Sequence, residues 1–529
     1  MGDKRQTALC DYRVAAVQFN PVHGQVKENR RRILERIAQA AEEGAKLIVF
    51  PEMATSGYVW KDRREIAPFV ETIPGETTGA VLELTRTYRC YAAIGLPEVD
   101  GRTGTYYNSA VLIGPEGVVG TYRKTHLFAA DPRWAREGDE EIPVFDTDIG
   151  RIALLICMDA MYYEPARITA LQDADIVAFP TNWVGERNNP PSKTWCLRAR
   201  ENGLYWIAAN RSDTERGAQF TGGSAVIEPG GEVQQYLVSD EGLVYGRVRL
   251  DPAKRTAALA GRRPQAYHDA LLHPYLWKEG ATRESVPPVP YEIMAVPLQP
   301  CGHAAQLLER IRFCLEQARS RLVPPNRLVV LPEMQPPMEM EAFMAGLRLL
   351  AENYTVYLVG AVSGTSFWVG PGGAEGKHGQ VHRDGLRGAG EEGPFFRTVD
   401  LPFARVGLLA GGDAEYPESY RALAKQGADL IAVSASGKER YEPWMQRIWS
   451  FENDVALAAA VPSGFNGGMI FLHRQVQAEG EPDSETPLIE LIEPAMTETA
   501  RSRPFLRRAK SHLYDRIVQN VHGAEEVIL

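Results

Sequence analysis

The second half of this chain repeats the first. YEIMAVPLQP at Tyr291–Pro300 echoes YRVAAVQFNP at an offset of 279. RLVVLPEM at Arg327–Met334 echoes KLIVFPEM at an offset of 281, which sets Glu333 against Glu52. RVGLLAGGDAEYPESYR at Arg405–Arg421 echoes RIALLICMDAMYYEPAR at an offset of 254, and ADLIAVSAS echoes ADIVAFPTN at the same offset. A long-period repeat means that one fold is built twice. The chain, at 529 residues, is also too long for one ordinary domain. The expected organisation is a first copy over 1–268, a linker over 269–290 and a second copy over 291–529. The linker contains ESVPPVP, whose prolines favour an extended, stiff segment.

Within the first copy the apolar pattern alternates between strands and helices. YRVAAVQFN at Tyr12–Asn20 reads as a strand, Asn29–Ala45 as a helix ending near Gly44, and KLIVFPE as a second strand. Thr77–Cys90 reads as a helix and Tyr91–Leu96 as a strand. YNSAVLIGPEGVVGTYRK contains a hairpin turning at Pro115-Glu116-Gly117. Further on, Arg167–Gln172 and Trp195–Asn202 are helical, and Ile176–Pro180 and Tyr205–Ala209 are strands. Strand–helix–strand units mixed with hairpins imply an α/β sandwich with a mixed sheet.

Three stretches of the first copy carry chemistry. Ile152–Ile156 is a continuous apolar run that ends at Cys157, after which MDAMYYEP breaks the pattern before a helix. A nucleophile on such a strand-to-helix elbow is held rigidly at the sheet edge. KLIVFPE places Glu52 at the end of another buried strand, where a carboxylate is costly unless it has a partner. GTYRKTHLF sets Lys124 among aromatic and apolar residues.

In this order, PEM, YRKTHLF and ICMD resemble the motifs of the nitrilase, or carbon–nitrogen hydrolase, superfamily, and the resemblance runs from residue 12 to about 268. It implies a Glu52–Lys124–Cys157 triad on a four-layer α-β-β-α sandwich, here in tandem. In that scheme Cys157 attacks the substrate carbon to form a thioester. Glu52 moves the protons, and Lys124 with the backbone N–H of Met158 stabilises the oxyanion. Many relatives have a second glutamate just beyond the lysine. Asp131 stands at that place here, with Glu137 as a substitute candidate. Tyr58, Asn182 and Trp183 are candidate pocket residues, with packing the competing role. Nitrilases proper tend to have Trp-Glu after the cysteine, whereas this chain has Met-Asp, which tilts the expectation from nitriles to amides.

The second copy has lost these groups. Gly411 stands where Cys157 stands, and glycine carries no nucleophile. Lys124 is matched to Arg383, which cannot donate a proton near neutral pH. Asp413 and Glu418 survive opposite Asp159 and Glu164 in supporting roles.

A net charge of −10 argues against nucleic acid or an anionic membrane surface as partner. No apolar run is long enough to span a bilayer, and the N-terminus has no apolar signal core. The six cysteines lie far apart without CxxC pairs, which argues against a disulfide scaffold and a zinc site and fits a reducing cytoplasm. No cofactor or metal is called for. The expected function is hydrolysis of a small carboxamide, with a nitrilase or an N-carbamoyl hydrolase using the same triad as the alternative. A non-catalytic assembly scaffold is the third reading. The two halves are expected to pair as an intrachain pseudo-dimer through the helices that follow each elbow, with further homo-oligomerisation left open.

Overall fold

The computed structural model describes residues 11–185, 191–272, 288–299, 303–318, 322, 326–334, 340–382, 393–437, 442–465, 468–472, 475–481 and 484–519. The chain forms two compact units. The first comprises residues 1–260 with His512–Ile517, and the second Gly261–Ser511 with 518–529. The division thus falls at Ala260/Gly261, ahead of the expected boundary at 268. Most of the expected linker, residues 273–287, lies outside the described residues.

The first unit begins with β1 (Asp11–Gln18), α1 (Val26–Glu42), β2 (Ala45–Val49), the short α2 (Arg63–Ile66) and α3 (Glu76–Tyr88). It continues through β3 (Tyr91–Val99), β4 (Tyr106–Gly114), β5 (Gly117–Arg123), β6 (Val144–Thr147), β7 (Gly150–Leu154), α4 (Tyr163–Leu171) and β8 (Ile176–Pro180). It closes with α5 (Lys193–Asn202), β9 (Tyr205–Ala209), a small hairpin of β10 (Thr214–Glu215) and β11 (Ala218–Gln219), β12 (Ser224–Ile227), β13 (Val233–Leu237), β14 (Gly242–Arg249) and α6 (Pro252–Leu259). One six-stranded sheet has the order β14-β1-β2-β3-β4-β5 and the other β13-β12-β9-β8-β7-β6.

The two sheets pack face to face, β1 against β9 and β12, and β2 and β3 against β8. Helices α1 and α3 cover the first sheet; α4, α5 and α6 lie together on the second. This is the expected α-β-β-α sandwich. The sequence explains each layer. In α1, Ile33, Ile37 and Ala40 recur on one face and are buried. The parallel strands β7, β8 and β9 are covered on both sides and read as unbroken apolar runs rather than alternating ones. Gly44 ends α1 at φ +88°, a conformation glycine adopts without strain.

The second unit repeats the pattern. It contains β15 (Tyr291–Ala295), α7 (Ala304–Gln317), β16 (Arg327–Met334), α8 (Met340–Tyr354), β17 (Tyr357–Val362), β18 (Thr365–Val369) and β19 (Glu375–His378). After these come β20 (Thr398–Asp400), β21 (Arg405–Ala410), α9 (Pro417–Lys425), β22 (Leu430–Ser434), α10 (Pro443–Glu452), β23 (Ala456–Ala460), β24 (Met469–Leu472), β25 (Gln475–Glu479), β26 (Leu488–Ile492) and α11 (Pro494–Ser502). Its sheets run β19-β18-β17-β16-β15-β26 and β20-β21-β22-β23-β24-β25.

Candidate active site

Three chain segments of the first unit bring Glu52, Lys124 and Asp131 into contact, and a fourth presents Cys157. Glu52 lies in the turn that leaves β2. Strand pairing stops at Val49 because Pro51 has no N–H and Met53 turns the chain at φ +54°. The turn then lies on β3, where Phe50 N–H donates to Ala93 O at 2.8 Å and Ala54 N–H to Gly95 O at 2.8 Å. A Cβ at residue 95 would stand 2.5 Å from the Glu52 Cα, so only glycine admits this approach. Lys124 follows β5, its N–H donating to Asn108 O on β4 at 2.9 Å. Cys157 opens the short 3₁₀ turn Cys157–Met161 after β7, at φ +45°. A left-handed cysteine is strained backbone, held where it sits by its surroundings.

The side chains of Glu52, Lys124 and Asp131 are fully buried. Lys124 Nζ donates to Glu52 Oε1 and to Asp131 Oδ2, both at 2.6 Å. Asn108 Nδ2 bridges the same two carboxylates, at 2.7 Å to Glu52 Oε1 and 3.0 Å to Asp131 Oδ1. Glu52 Oε2 has no hydrogen-bond partner among the described residues. It is a buried acceptor with a free lone pair, and such an atom is uncommon unless it has work to do.

Burial raises the Glu52 carboxyl above its usual value of 4.5; Lys124 opposes this and Asp131 adds to it. Burial raises the Cys157 thiol far above its ordinary range, with the Glu52 charge adding and Lys124 opposing. A thiol in that position stays protonated at rest and needs a base beside it. Burial would lower Lys124, but Asp131 and then Glu52 hold it well above its usual value, so it stays an ammonium.

Asp131 makes the contact with Lys124; Glu137 is exposed. Tyr58 is buried and its hydroxyl donates to Phe128 O at 2.8 Å, fastening the loop that carries Asp131. Asn182 Nδ2 donates to Glu52 O at 2.9 Å and so holds the backbone at that residue. Trp183 is half-buried and meets Trp195 edge to face at 5.4 Å, a packing contact. Met158 follows Cys157 in the turn and is buried.

Two contributors escaped the sequence reading. Asn108 is one polar residue inside YYNSAVLIG, and its signal is an amide on a strand buried on both faces. Glu215 accepts from the N–H groups of Tyr58 and Val59 at 2.9 and 2.6 Å, and is itself held by Arg211 at 2.7 Å and His23 at 3.1 Å. It fixes the loop bearing Tyr58 from 157 residues away, and nothing local marks it.

The second unit keeps the backbone without the chemistry. Gly411 takes φ +46°. A Cβ there would stand 2.5 Å from Glu333 Oε2, so the surviving carboxylate occupies the space of the missing thiol. Glu333 is half-buried and its Oε1 accepts from Gly364 N at 2.8 Å. The match of Lys124 to Arg383 needs correction. His382 N and Nδ1 reach Asp413 Oδ1 at 2.7 and 2.9 Å, as His126 N and Nδ1 reach Asp159 Oδ1 at 3.2 and 2.9 Å. With His382 opposite His126, Gln380 falls opposite Lys124; Arg383 itself lies outside the described residues.

Among the described residues, no group of three His, Cys, Asp or Glu side chains is arranged to hold a metal ion. No helix among them is long and apolar enough to cross a membrane.

The first unit thus carries a buried acid–lysine–acid cluster and a cysteine on a strained elbow, on an α-β-β-α sandwich that the second unit repeats. Residues 13–258 and 295–481 both match the carbon–nitrogen hydrolase family, and the chain belongs to it. It is a carbon–nitrogen hydrolase of the nitrilase superfamily. It is 37% identical over 225 residues to a nitrilase of Pyrococcus abyssi, covering 42% of this chain and 83% of that relative. It is 33% identical over 244 residues to an (R)-stereoselective amidase of a Pseudomonas species, covering 46% and 86%. It is 30% identical over 257 residues to the human omega-amidase, covering 46% and 90%. Among solved structures it is similar to an amidase of Nesterenkonia AN1, at 26% identity and a TM-score of 0.41, covering 46% of this chain and 94% of that one.

Proposed function

We propose that the first unit hydrolyses a small carboxamide to a carboxylate and ammonia through a thioester on Cys157. The observation that carries this reading is the fully buried Glu52–Lys124–Asp131 cluster, whose Glu52 Oε2 is unpaired. Glu52 takes the thiol proton, and the sulfur attacks the amide carbon. The carbonyl electrons move to oxygen, and the ammonium of Lys124 with the N–H of Met158 stabilises the oxyanion. The intermediate collapses as Glu52 returns the proton to the departing nitrogen, and ammonia leaves. Glu52 then deprotonates a water that attacks the thioester, which releases the carboxylate and restores the thiol. Asp131 keeps Lys124 charged and aimed, so that the cation is in place before charge develops.

Nitrile hydrolysis is the second reading, favoured by the resemblance to the Pyrococcus abyssi nitrilase. Ammonia release over a panel of carboxamides, nitriles and N-carbamoyl compounds decides between them. Turnover of carboxamides with Cys157→Ala silent supports the first reading. Turnover confined to nitriles replaces it, and no turnover on any member rejects both.

The second unit serves as a pairing partner for the first, and support comes from the doubled family match and from the apolar spacing of α4 and α9 in sequence. A covalent partner is present at high effective concentration. With a protease site engineered between residues 273 and 287, the cut halves are expected to co-elute; separate elution rejects the pairing.

A further inference from the structure

One short segment late in the chain returns to the first unit. Residues His512–Ile517 belong to the compact unit formed by residues 1–260. Within this segment Tyr514 is 1% exposed, and its hydroxyl lies 2.7 Å from His126 Nε2, across 388 residues of sequence. The two rings meet end to end, their centres 6.3 Å apart and their planes inclined by 22°. On another side His126 stacks on Tyr162 at 4.3 Å. Arg516 of the same segment pairs with Glu141.

His126 leads to the catalytic turn. Its Nδ1 lies 2.9 Å from Asp159 Oδ1. A carboxylate only accepts, so Nδ1 carries the hydrogen in this contact, and the ring's other nitrogen, Nε2, is the one that meets the phenol of Tyr514. Asp159 gathers two segments. Oδ2 accepts from Ile156 N at 2.8 Å, next to Cys157, and from Tyr122 OH at 2.9 Å. Oδ1 accepts from Thr125 Oγ1 at 3.1 Å and His126 N at 3.2 Å, next to Lys124. One carboxylate therefore ties the strand end that delivers the nucleophile to the loop that delivers the ammonium, and Tyr514 completes the outer end of that tie.

The second unit has a counterpart. His382 Nδ1 lies 2.9 Å from Asp413 Oδ1, His382 stacks on Tyr416 at 3.9 Å, and the Tyr267 hydroxyl lies 2.7 Å from His382 Nε2. Tyr267 follows the first repeat in sequence yet belongs to the second unit. Each histidine thus takes its hydroxyl from the segment that trails the other repeat. The trio persists beside Gly411, so part of its work is structural. Only in the first unit does it stand behind a nucleophile.

We propose that Tyr514 is a positioning residue for the active centre of the first unit, acting through His126 and Asp159 on Cys157 and Lys124. The proposal rests on the carboxamide hydrolase reading, and its test includes a readout that needs no substrate. In the full chain, Tyr514→Phe removes one oxygen and keeps the ring. The alkylation rate of Cys157 by iodoacetamide is followed by mass spectrometry, alongside kcat, KM and melting temperature, with Tyr267→Phe as the matched control. Tyr514→Phe is expected to slow alkylation and kcat by about fivefold, the weight of one lost hydrogen bond, with KM unchanged. Tyr267→Phe is expected to lower the melting temperature about as much as Tyr514→Phe does, while leaving both rates alone. Wild-type alkylation and kcat in Tyr514→Phe, or an equal slowing in Tyr267→Phe, overturns the proposal. Slowed alkylation in a chain that hydrolyses no carboxamide supports the positioning role and removes the functional reading instead.

Discussion

At residue 157 and at residue 411 the backbone makes the same left-handed turn, φ +45° and +46°. Behind each, an aspartate holds a histidine two residues past the lysine position. What differs is the filling. The first unit has a thiol, a fully buried Glu52 and a doubly paired Lys124. The second has no side chain at 411, a half-buried Glu333 leaning into the vacated space, and Gln380 in place of the cation. The comparison separates two things that an active enzyme combines. The elbow is made by hydrogen bonds to its backbone and survives without chemistry. The first unit alone buries three ionisable groups together, Glu52, Lys124 and Asp131, which is stable only when each has its partner.

The sharpest way to break this comparison is to make the first elbow like the second. Cys157→Ala is expected to lower turnover by about 10⁴-fold or more while the fold persists. In the intact chain Cys157 should be the thiol that iodoacetamide labels fastest, and full activity in the alanine variant ends the assignment. Next in size is the base. Glu52→Gln should cost ~10² or more in kcat, whereas Glu333→Gln in the second unit should leave turnover unchanged. Because burial raises Glu52 above 4.5 and the base must be ionised, the acidic limb of kcat/KM should fall above pH 4.5. A limb at or below that value contradicts the assignment. Asp131→Asn keeps the shape but removes half of the charge that faces Lys124. A loss of about 10- to 100-fold in kcat is expected from an oxyanion stabiliser less firmly held; unchanged kcat would show that Glu52 alone suffices. The smallest effect lies in the second unit. Gly411→Ala places a Cβ in a left-handed turn and against Glu333, and should lower stability by ~1–2 kcal/mol with no change in kcat, as read by denaturant titration.

Much of the architecture is legible in the sequence because buried parallel strands announce themselves. β8 and β9 begin and end where their apolar runs do. The strand expected to carry KLIVFPE through to Glu52 pairs only as far as Val49. Apolar character continues beyond it, but Pro51 interrupts the ladder, and hydrophobicity does not report a missing donor. Glu52, Lys124 and Cys157 are visible through three short motifs. Asn108 is not, since a lone amide in a strand looks like one more alternating position. The match of Lys124 to Arg383 fails for a related reason: it pairs cation with cation, whereas the register is set by a histidine and an aspartate 31 residues apart. Tyr514 has no local signal at all, because its partner lies 388 residues away in sequence.

The placement of Glu215 also says how such an enzyme meets acid. Burial alone would raise this carboxyl, but His23, Arg211 and the N–H of Val59 bring it down to about 2 from 4.5. A carboxyl depressed in the folded state lends its stability above the unfolded value, and that stability drains away as pH falls from there toward the folded value. Glu52 moves the other way and takes up its proton above 4.5. Acidification therefore acts in two stages. First Glu52 takes up its proton while the loop bearing Tyr58 remains clamped, so an enzyme that uses Glu52 as its base is expected to lose activity and regain it on neutralisation. Only on the far side of 4.5 does the clamp on Tyr58 and Val59 begin to slip, and with it the shape of that loop.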